Sequence, residues 1–533
     1  MSKTIVTSPD EQTPPDFVGG NYHISISGQG NVTKICFLLS NGNALFCFRI
    51  DDLFSRNMEG FIDFSSMELN RIYVPPHVPG IIVAKDIFGN PRNVKGFTRI
   101  FWDVERKVKQ INTKWSSFPT YYSEFGSLNP SISFLVNEGF VYISVGETVE
   151  RSVLNSISTA RKELSAILGE TRQFYSRTRR IFQSADANSN AVLSCFLSNS
   201  DTVDTHSVLP LASKSPHYYV SAGSWARDLI LWNFPCIYNC DPSRGKQVLR
   251  NSIEIFMKNP GIHALYVDGR VLYDGFELDQ LASIIHGLEI GKVIGVYDES
   301  EIDERLELIL EVMKKWKGKN TDLYGTELNS SDDPVSYPYV TYNNALLSTA
   351  LLRLGKVVGE SSDVLQTKGK KIRDSIFEKL VVDQRLVYSS DLEGRYEFYD
   401  DPTGSLFSLP LMEFLGMDDK VFLNTKRWIE SPGNTYYIHG RYPGLSNVHV
   451  KHPWSFYLYW KKMLGDDVEI PSMDSGLSCE TYDENTGMCA TGIHFPGASC
   501  VRALSSMGDV QLDDHRRFKH ILGFTLFIPE DKE

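Results

Sequence analysis

Glu480 lies in a segment whose composition suits a displayed carboxylate. Residues 479–487 read CETYDENTG, so an aromatic residue and a second acid follow Glu480 closely, and a Thr-Gly turn ends the segment. The apolar residues 495–498 come soon after and predict the start of a helix. A carboxylate on a glycine-punctuated loop ahead of a helix is placed to act as a catalytic base.

A second group of carboxylates lies far upstream. Residues 273–281 read YDGFELDQL and place Glu277 and Asp279 at a loop-to-helix junction. Two acids from distant segments can meet in one pocket, where one protonates a leaving group and the other activates water. Residues two positions apart do not share a helix face, so only one of the two is expected to face a substrate. The plainer explanation of Asp279 is a helix N-cap.

A third segment combines an aromatic residue with two opposite charges. Residues 224–228 read SWARD and bring Trp225, Arg227 and Asp228 together. Alone, this pattern is typical of a helix start with a buried ion pair. The same pair can also present fixed donors and acceptors to the hydroxyl groups of a polyol.

The elements that must position these segments change along the chain. Residues 1–150 contain short apolar runs separated by Gly, Pro and Asn, and two runs around Asn41-Gly42 predict a hairpin within a β-sandwich. Residues 151–190 lack proline and space apolar residues at helical intervals, which predicts a helical linker. Helices alternating with loops are predicted in residues 191–533, at 246–257, 279–290, 299–316, 342–358, 362–380, 403–415, 420–429, 452–464 and 497–506.

Composition excludes several classes of partner. The chain has 533 residues, of which 42% are hydrophobic, and a formal net charge of −12, which argues against binding nucleic acid or an anionic membrane. The polar start does not resemble a secretory signal, and no apolar run is long enough to span a membrane. We therefore expect a soluble, cytoplasmic protein. Its eight cysteines include no CxxC pair, which favours reduced, buried thiols.

Taken in order, the three segments resemble motifs of the inverting (α/α)6-barrel glycoside hydrolases. This group includes glucoamylases, bacterial trehalases, debranching glucosidases and exo-α-mannosidases. The matching sequences are WARD at 225–228, FELDQL at 276–281 and ExYDxxTG at 480–487. The resemblance covers about residues 190–505, and the β domain and helical linker before it are similar to the arrangement in microbial glucoamylases. It implies a mainly α fold, with an (α/α)6-barrel catalytic domain at 191–533, a linker at 151–190 and an amino-terminal β-sandwich at 1–150.

The resemblance also implies roles for individual residues. Asp279 would be the catalytic acid, with Glu277 as the alternative, and Glu480 the base that activates water. The substrate-binding residues would be Trp225, Arg227, Asp228, Glu277 and Tyr482. No cofactor or metal is implied, and the partner would be an oligosaccharide or a small glycoside. The Glu480 loop looks closest to the glucoamylase form, so glucose ranks above mannose as the released sugar.

Alternative functions stay open at this stage. An exo-α-mannosidase or a trehalase would share the fold. A phosphorylase would replace water by phosphate, and a lyase would need a Tyr or His base near an arginine, for which the loop around His439, Arg441 and His449 supplies residues. A non-catalytic carbohydrate-binding protein would keep the pocket alone. The spacing of His439, His449 and His452 lacks a zinc pattern and favours solvated or substrate-lining residues.

Overall fold

The computed structural model describes the side chains of residues 71–73, 75, 78, 80–88, 131–146, 148–173, 176, 223–239, 242–243, 245–265, 269–471, 478–491, 495 and 497–505. Elsewhere it describes only the bounds and pairing of helices and strands.

Short strands in two sheets make up the amino-terminal part. They are β1 (Asp16–Gly19), β2 (Tyr22–Ile26), β3 (Val32–Leu38), β4 (Leu45–Asp51), β5 (Ile62–Asp63), β6 (Glu68–Leu69), β7 (Ile72–Tyr73), β8 (Gly80–Ala84), β9 (Asn93–Arg99), β10 (Val108–Ile111), β11 (Thr120–Ser123), β12 (Ser131–Asn137) and β13 (Phe140–Gly146). One sheet has the order β1-β2-β3-β4-β9 and the other β10-β11-β12-β13-β8-β7-β6-β5. Leu38 pairs with Leu45 across β3 and β4, which confirms the predicted hairpin. The domain boundaries stay predictions.

Two helices occupy the segment predicted as a linker. They are α1 (Val149–Ala160) and α2 (Leu164–Phe182). Thr148 caps α1 by accepting a hydrogen bond from the backbone N–H of Arg151. Small side chains let α1 lie close to β12, where Ser133 Oγ donates to the carbonyl oxygen of Ser152 over 2.7 Å.

Helices dominate the rest of the chain. The α-helices are α3 (Phe234–Cys240), α4 (Pro242–Phe256), α5 (Leu278–Val293), α6 (Glu299–Trp316), α7 (Thr341–Val357), α8 (Ser362–Lys379), α9 (Lys420–Ile429), α10 (Ser455–Met463) and α11 (Pro496–Ser506), with a π-helix at Asp228–Asn233 and a 3-10 helix at Leu406–Ser408. The strands are β14 (Gly223–Ser224), β15 (Ile262–Tyr266), β16 (Val271–Phe276), β17 (Tyr339–Val340), β18 (Val381–Val382), β19 (Arg385–Leu386), β20 (Ser389–Ser390), β21 (Tyr396–Glu397), β22 (Tyr437–Ile438), β23 (Gly444–Leu445), β24 (Thr481–Tyr482), β25 (Cys489–Thr491), β26 (Gln511–Leu512), β27 (Arg516–Ile521) and β28 (Phe524–Ile528).

Successive helices alternate between two kinds of burial. Residues 278–291 of α5 are all buried, and α7 is buried along nearly its whole length. By contrast, α6 buries a single stripe of Ile302, Leu306, Ile309 and Met313. A helix buried on all sides belongs to the interior, whereas a helix with one apolar stripe lies at the surface. With α5 packed on α7 and α7 packed on α8, the pattern is that of a helical barrel with an inner and an outer ring.

One of the predicted helices is wrong. Residues 403–415 form only the short 3-10 helix Leu406–Ser408, followed by turns. Pro410 cannot donate a helical hydrogen bond, and Glu413 has a φ of 61°, a left-handed conformation that interrupts a right-handed helix. Strands β26–β28, after the last helix, were not predicted.

Sequence analysis predicts no membrane-spanning segment. Within the described part of the chain, none of the helices is both long enough and apolar enough to cross a bilayer.

Candidate active site

A three-stranded sheet joins two of the predicted motifs. Ser224 of β14 pairs with Leu265 of β15, and β15 pairs in turn with β16, which leads directly into Glu277. The two motifs also contact each other, because the backbone N–H of Arg227 donates to Oε1 of Gln280 over 2.8 Å. The sheet therefore brings residues 224–228 (SWARD) and 276–280 (FELDQ) into contact.

The guanidinium group of Arg227 is the centre of a charge cluster. Its Nη1 donates to Oε2 of Glu277 over 3.0 Å and to Oδ2 of Asp279 over 2.8 Å. Its Nη2 donates to Oδ1 of Asp332 over 3.0 Å and lies 3.6 Å from Oδ2 of Asp228. Four carboxyl groups thus surround one cation, and Glu277 and Asp279 have no exposed surface. Such crowding disfavours ionisation of all four groups together.

The environments within the cluster separate the pKa values of its carboxyl groups. Burial raises the pKa of Asp228 to about 7 although Arg227 opposes the rise. Burial, with the neighbouring charge of Asp332, also raises the pKa of Glu277 well above its ordinary value. Burial would raise the pKa of Asp332 too, but Arg227 and His263 outweigh it and lower that pKa. The cluster therefore combines carboxyl groups that retain a proton with one that stays ionised, as acid–base chemistry requires.

His263 belongs to this cluster and was missed by the sequence analysis. Its Nδ1 lies 3.5 Å from Oε1 of Glu277, and its Nε2 lies 3.5 Å from Oδ1 of Asp332. Its ring contacts those of Trp225 and Tyr273, with centroids 6.2 Å and 5.3 Å away. It lies in β15, which no motif marks, so only the pairing of β15 with β14 and β16 reveals its position.

Two groups of donors among the described residues could hold a metal ion. One consists of His263, Glu277 and Asp332, and the other of His452, Asp483 and Glu484. In the first group Arg227 already donates hydrogen bonds to both carboxylates. A cation there would have to compete with the guanidinium group, so this donor set fits a metal poorly.

Arg227 and Asp228 line a cavity. Its walls combine aromatic rings with short polar side chains, namely Trp225, Trp232, Trp454, Phe495, Ser330, Ser331, Asp332 and Thr403. The indole N–H groups of Trp225 and Trp454 are buried without a hydrogen-bond partner among the described residues. Aromatic faces beside free donors and fixed carboxylates suit the binding of a pyranose ring.

Glu277 and Asp279 lie beneath this wall, against Arg227. Helix α5 begins at Leu278 with Glu277 at its N-cap position, so Asp279 is inside the first turn and is not the cap. Nδ2 of Asn343, on the neighbouring inner helix α7, lies 3.5 Å from Oδ1 of Asp279. Both oxygens of the Asp279 carboxyl group therefore have a defined partner.

The loop at residues 329–333 connects the cluster to the opposite side of the site. Oδ1 of Asn329 accepts hydrogen bonds from the backbone N–H groups of Ser331 and Asp333, both over 3.0 Å. Asp332 has a left-handed backbone with φ of 66°, and its carboxylate contacts Arg227. The sequence analysis missed this loop, although its Ser-Ser-Asp-Asp-Pro pattern is a signal for a turn that displays acids.

Asp400 and Asp401 hold their own loop together. Oδ1 of Asp401 accepts from the backbone N–H groups of Thr403 and Gly404 and from Oγ of Ser331. Asp400 accepts from Ser405 Oγ over 2.6 Å. Burial raises the pKa of Asp400 to about 8 and that of Asp401 to about 6. Neither has exposed surface, so they shape the loop that carries Thr403 to the cavity.

Glu480 lies next to the cavity residue Trp454. Its carbonyl oxygen accepts from the backbone N–H of Ser455 over 2.9 Å, and Thr481 forms a β-bridge with Trp454. The Glu480 side chain is 7% exposed, and its Oε2 accepts from Oγ1 of Thr491 over 2.8 Å. The Glu480 carboxyl group is therefore buried and held by Thr491, on a segment that is bridged to the cavity wall at Trp454.

The residues that follow Glu480 in the motif form a turn. Oδ1 of Asp483 accepts from the backbone N–H groups of Asn485 and Thr486, over 3.1 Å and 2.8 Å. Gly487 closes the turn with a φ of 74°, a conformation that favours glycine. Tyr482 is 1% exposed and packs near Tyr442, with ring centroids 6.3 Å apart. It therefore lies away from the cavity wall, in contrast to Trp225.

Residues 307–471 match the family of metal-independent α-mannosidases (GH125). This segment runs from α6 to beyond α10 and includes the loop at 329–333. The meiotically up-regulated gene 157 protein of Schizosaccharomyces pombe is 29% identical over 163 residues, which are 28% of this chain and 32% of that protein. The chain thus aligns with about a third of the length of this curated relative.

Two solved structures share the fold. A bacterial glucoamylase complexed with acarbose covers 95% of this chain and 96% of its own, with 12% identity and a TM-score of 0.64. A metal-independent α-mannosidase of Streptococcus pneumoniae, in a non-productive complex with α-1,6-mannobiose, covers 63% of this chain and 97% of its own, with 14% identity and a TM-score of 0.51. The fold is that of the (α/α)6-barrel glycosidases.

These findings confirm the predicted fold class and the resemblance to inverting (α/α)6-barrel glycoside hydrolases. With the family match, they also support the predicted class of enzyme. The preference for glucose has no such support, because the family that matches consists of mannosidases.

Proposed function

We propose that this chain is an inverting, exo-acting α-glycosidase that releases mannose from the end of an α-mannoside. The observation that carries the proposal is the match of residues 307–471 to metal-independent α-mannosidases. That segment supplies the loop whose Asp332 contacts Arg227 at the cavity.

The proposed hydrolysis needs two carboxyl groups on opposite faces of the sugar. Asp279 donates its proton to the departing glycosidic oxygen as the bond from that oxygen to the anomeric carbon breaks. Glu480 takes a proton from a water molecule whose oxygen bonds to the anomeric carbon from the other side. The released sugar therefore has the inverted configuration, and solvent exchange restores both carboxyl groups to their starting states.

Arg227, Asp228 and Trp225 would hold the terminal sugar. A guanidinium group and a carboxyl group on adjacent residues present donors and an acceptor in fixed positions, which is what selects among sugar epimers. Trp225 offers a ring face and a free indole N–H at the same wall. Tyr482 contributes indirectly, by packing beneath the Glu480 turn.

The acid can be either Asp279 or Glu277. The resemblance favours Asp279, and its position inside the first turn of α5 removes the simple N-cap explanation. The raised pKa of Glu277, caused by burial, favours Glu277 as the group that carries a proton. Since Nη1 of Arg227 contacts both carboxyl groups, a substrate that displaces this contact can release either one.

The test is the release of free monosaccharide from a panel containing α-1,6-mannobiose, other α-linked mannobioses, maltose, isomaltose and trehalose. We expect mannose release by the parent protein and a loss of at least about a hundredfold in Glu480→Gln. Glu484→Gln, on the same turn, is the matched control and should retain activity. NMR of the first product formed should show the inverted anomer.

The other results of this panel would each contradict the proposal in a different way. Glucose released from maltose, without mannose from any mannobiose, would identify a glucosidase. Turnover that requires phosphate would identify a phosphorylase. Binding of mannobiose without turnover in the parent protein would indicate a carbohydrate-binding protein.

A further inference from the structure

His449 lies on the loop between β23 and α10 and is held in a defined orientation. Its Nδ1 lies 2.9 Å from Oδ1 of Asp333. Asn447 shapes the loop, because its Oδ1 accepts from the backbone N–H of Val450 over 2.8 Å and its Nδ2 lies 3.3 Å from the same imidazole nitrogen. A histidine whose Nδ1 is bound by a carboxylate keeps its Nε2 available to act elsewhere.

The imidazole ring lies beside the residues that position Glu480. It meets the ring of Trp454 edge to face, with centroids 5.9 Å apart and an angle of 87°. Trp454 is in turn bridged to Thr481, the residue that follows Glu480. His449 and Glu480 thus lie next to the same tryptophan of the cavity wall, and 44% of the His449 side chain remains exposed.

The charged groups that face His449 are predominantly acidic. They are the carboxyl groups of Asp333, Asp332 and Glu480. The same loop carries the cation Lys451, whose Nζ donates to the carbonyl oxygen of Asn447 over 3.0 Å. The hydrogen bond that His449 donates to the Asp333 carboxylate raises the pKa of His449, burial opposes this rise, and the charges of the three carboxylates add to it.

We propose that His449, oriented by Asp333, is a positioning residue whose positive charge stabilises the ionised carboxylate of Glu480. The inference rests on the proposed function, in which Glu480 is the base. The Asp333–His449 pair would then stabilise the charge of Glu480 as well as the conformation of the loop. When His449 carries its proton, Glu480 reaches its active, ionised form at lower pH. Loss of that charge makes the base less available in acid.

The activity test compares pH profiles of kcat/KM on α-1,6-mannobiose for the parent protein, His449→Gln and His449→Lys. Removal of the charge should shift the acidic limb of the profile to higher pH by about 0.5 to 1 unit. Lysine restores a charge and should keep the limb near that of the parent. His452→Gln, three positions away, is the matched control and should leave the limb unchanged. A purely structural role for His449 would lower activity at every pH without moving the limb.

A second readout does not depend on turnover. In protein labelled with ¹³C-histidine, NMR titration should show a lower pKa for His449 in Glu480→Gln and in Asp333→Asn than in the parent protein, because each variant removes a negative charge beside it. Asp391→Asn, which removes the ion pair with Arg395 on another loop, should leave it unchanged.

The two readouts separate the possible failures. Coupling in the NMR titration without hydrolysis by the parent protein would retain the pairing of His449 and Glu480 and overturn the proposed function. Hydrolysis with an unmoved acidic limb in His449→Gln and an unchanged His449 pKa in Glu480→Gln would overturn the role of His449.

Discussion

Asp332 and Asp333 are neighbours in the chain, yet their carboxylates serve opposite sides of the site. Oδ1 of Asp332 accepts from Nη2 of Arg227 over 3.0 Å, whereas Oδ1 of Asp333 lies 2.9 Å from Nδ1 of His449. The left-handed backbone at Asp332 makes this divergence possible. One short loop therefore links Arg227, which contacts both candidate acids, to the surroundings of the proposed base.

The assignment of the acid can be decided with two variants and two substrates. If Asp279 is the acid, Asp279→Asn should lose about a hundredfold or more in kcat on mannobiose. It should retain much more activity on a dinitrophenyl α-mannoside, whose leaving group departs without protonation. Glu277→Gln should then be impaired similarly on both substrates. The reverse pattern in the two variants would assign the acid to Glu277.

Arg227 should be essential for folding as well as for binding. Arg227→Met would leave four carboxyl groups crowded together without their cation, so we expect a loss of about 3–5 kcal/mol in the free energy of unfolding. Arg395→Met, which breaks the ion pair between the exposed Arg395 and Asp391, should cost much less, because water screens the arginine. Urea denaturation measures both. Equal, small losses in the two variants would contradict the central role of Arg227.

The pKa of Asp228 predicts a pH dependence of stability. In the folded protein this pKa rises from 3.8 to about 7, so between these values the folded state binds more protons than the unfolded state. Stability from this group is therefore fully present below pH 3.8 and is lost as pH rises through about 7. In Asp228→Asn, the free energy of unfolding should fall less steeply as pH rises between these two values. Parallel curves for parent and variant would contradict the raised pKa.

The buried indole N–H groups at the cavity predict a contribution to substrate affinity. Trp225→Phe and Trp454→Phe each keep an aromatic face but remove a donor, so we expect KM on mannobiose to rise several-fold with a smaller change in kcat. Trp428→Phe is the control, because Trp428 packs against Phe398 and does not line the cavity. An unchanged KM in both cavity variants would show that these donors do not meet the sugar.

Two of the motifs contact each other in the structure, because each occupies a short local segment. Trp225, Arg227 and Asp228 lie at one cavity, with Glu277 and Asp279 against Arg227, and the roles of these residues stay predictions. The helices at 299–316 and 420–429 also have the predicted bounds. In each case a strong local pattern, such as the capping box at Asp298 and Glu301, agrees with the tertiary structure.

Other features depend on contacts that no local pattern encodes. His263 reaches the cluster only through strand pairing, and the loop at 329–333 does so through the left-handed residue Asp332. The predicted helix at 403–415 failed because the buried carboxylates of Asp400 and Asp401 bind backbone N–H groups and so stabilise a loop.

The sheet β14-β15-β16 also bears on how the site assembles. The contacts that bring Arg227 to Asp279 span 52 residues of chain, far fewer than separate either residue from Glu480, so closing this loop costs less entropy than bringing Glu480 to the site. Glu480 meets the site only after the remaining inner and outer helices have been made. In a chain emerging from the ribosome, the carboxylate cluster can therefore form before the base segment has been synthesised. The segment that carries Glu480 would then pack against a carboxylate cluster that has already formed.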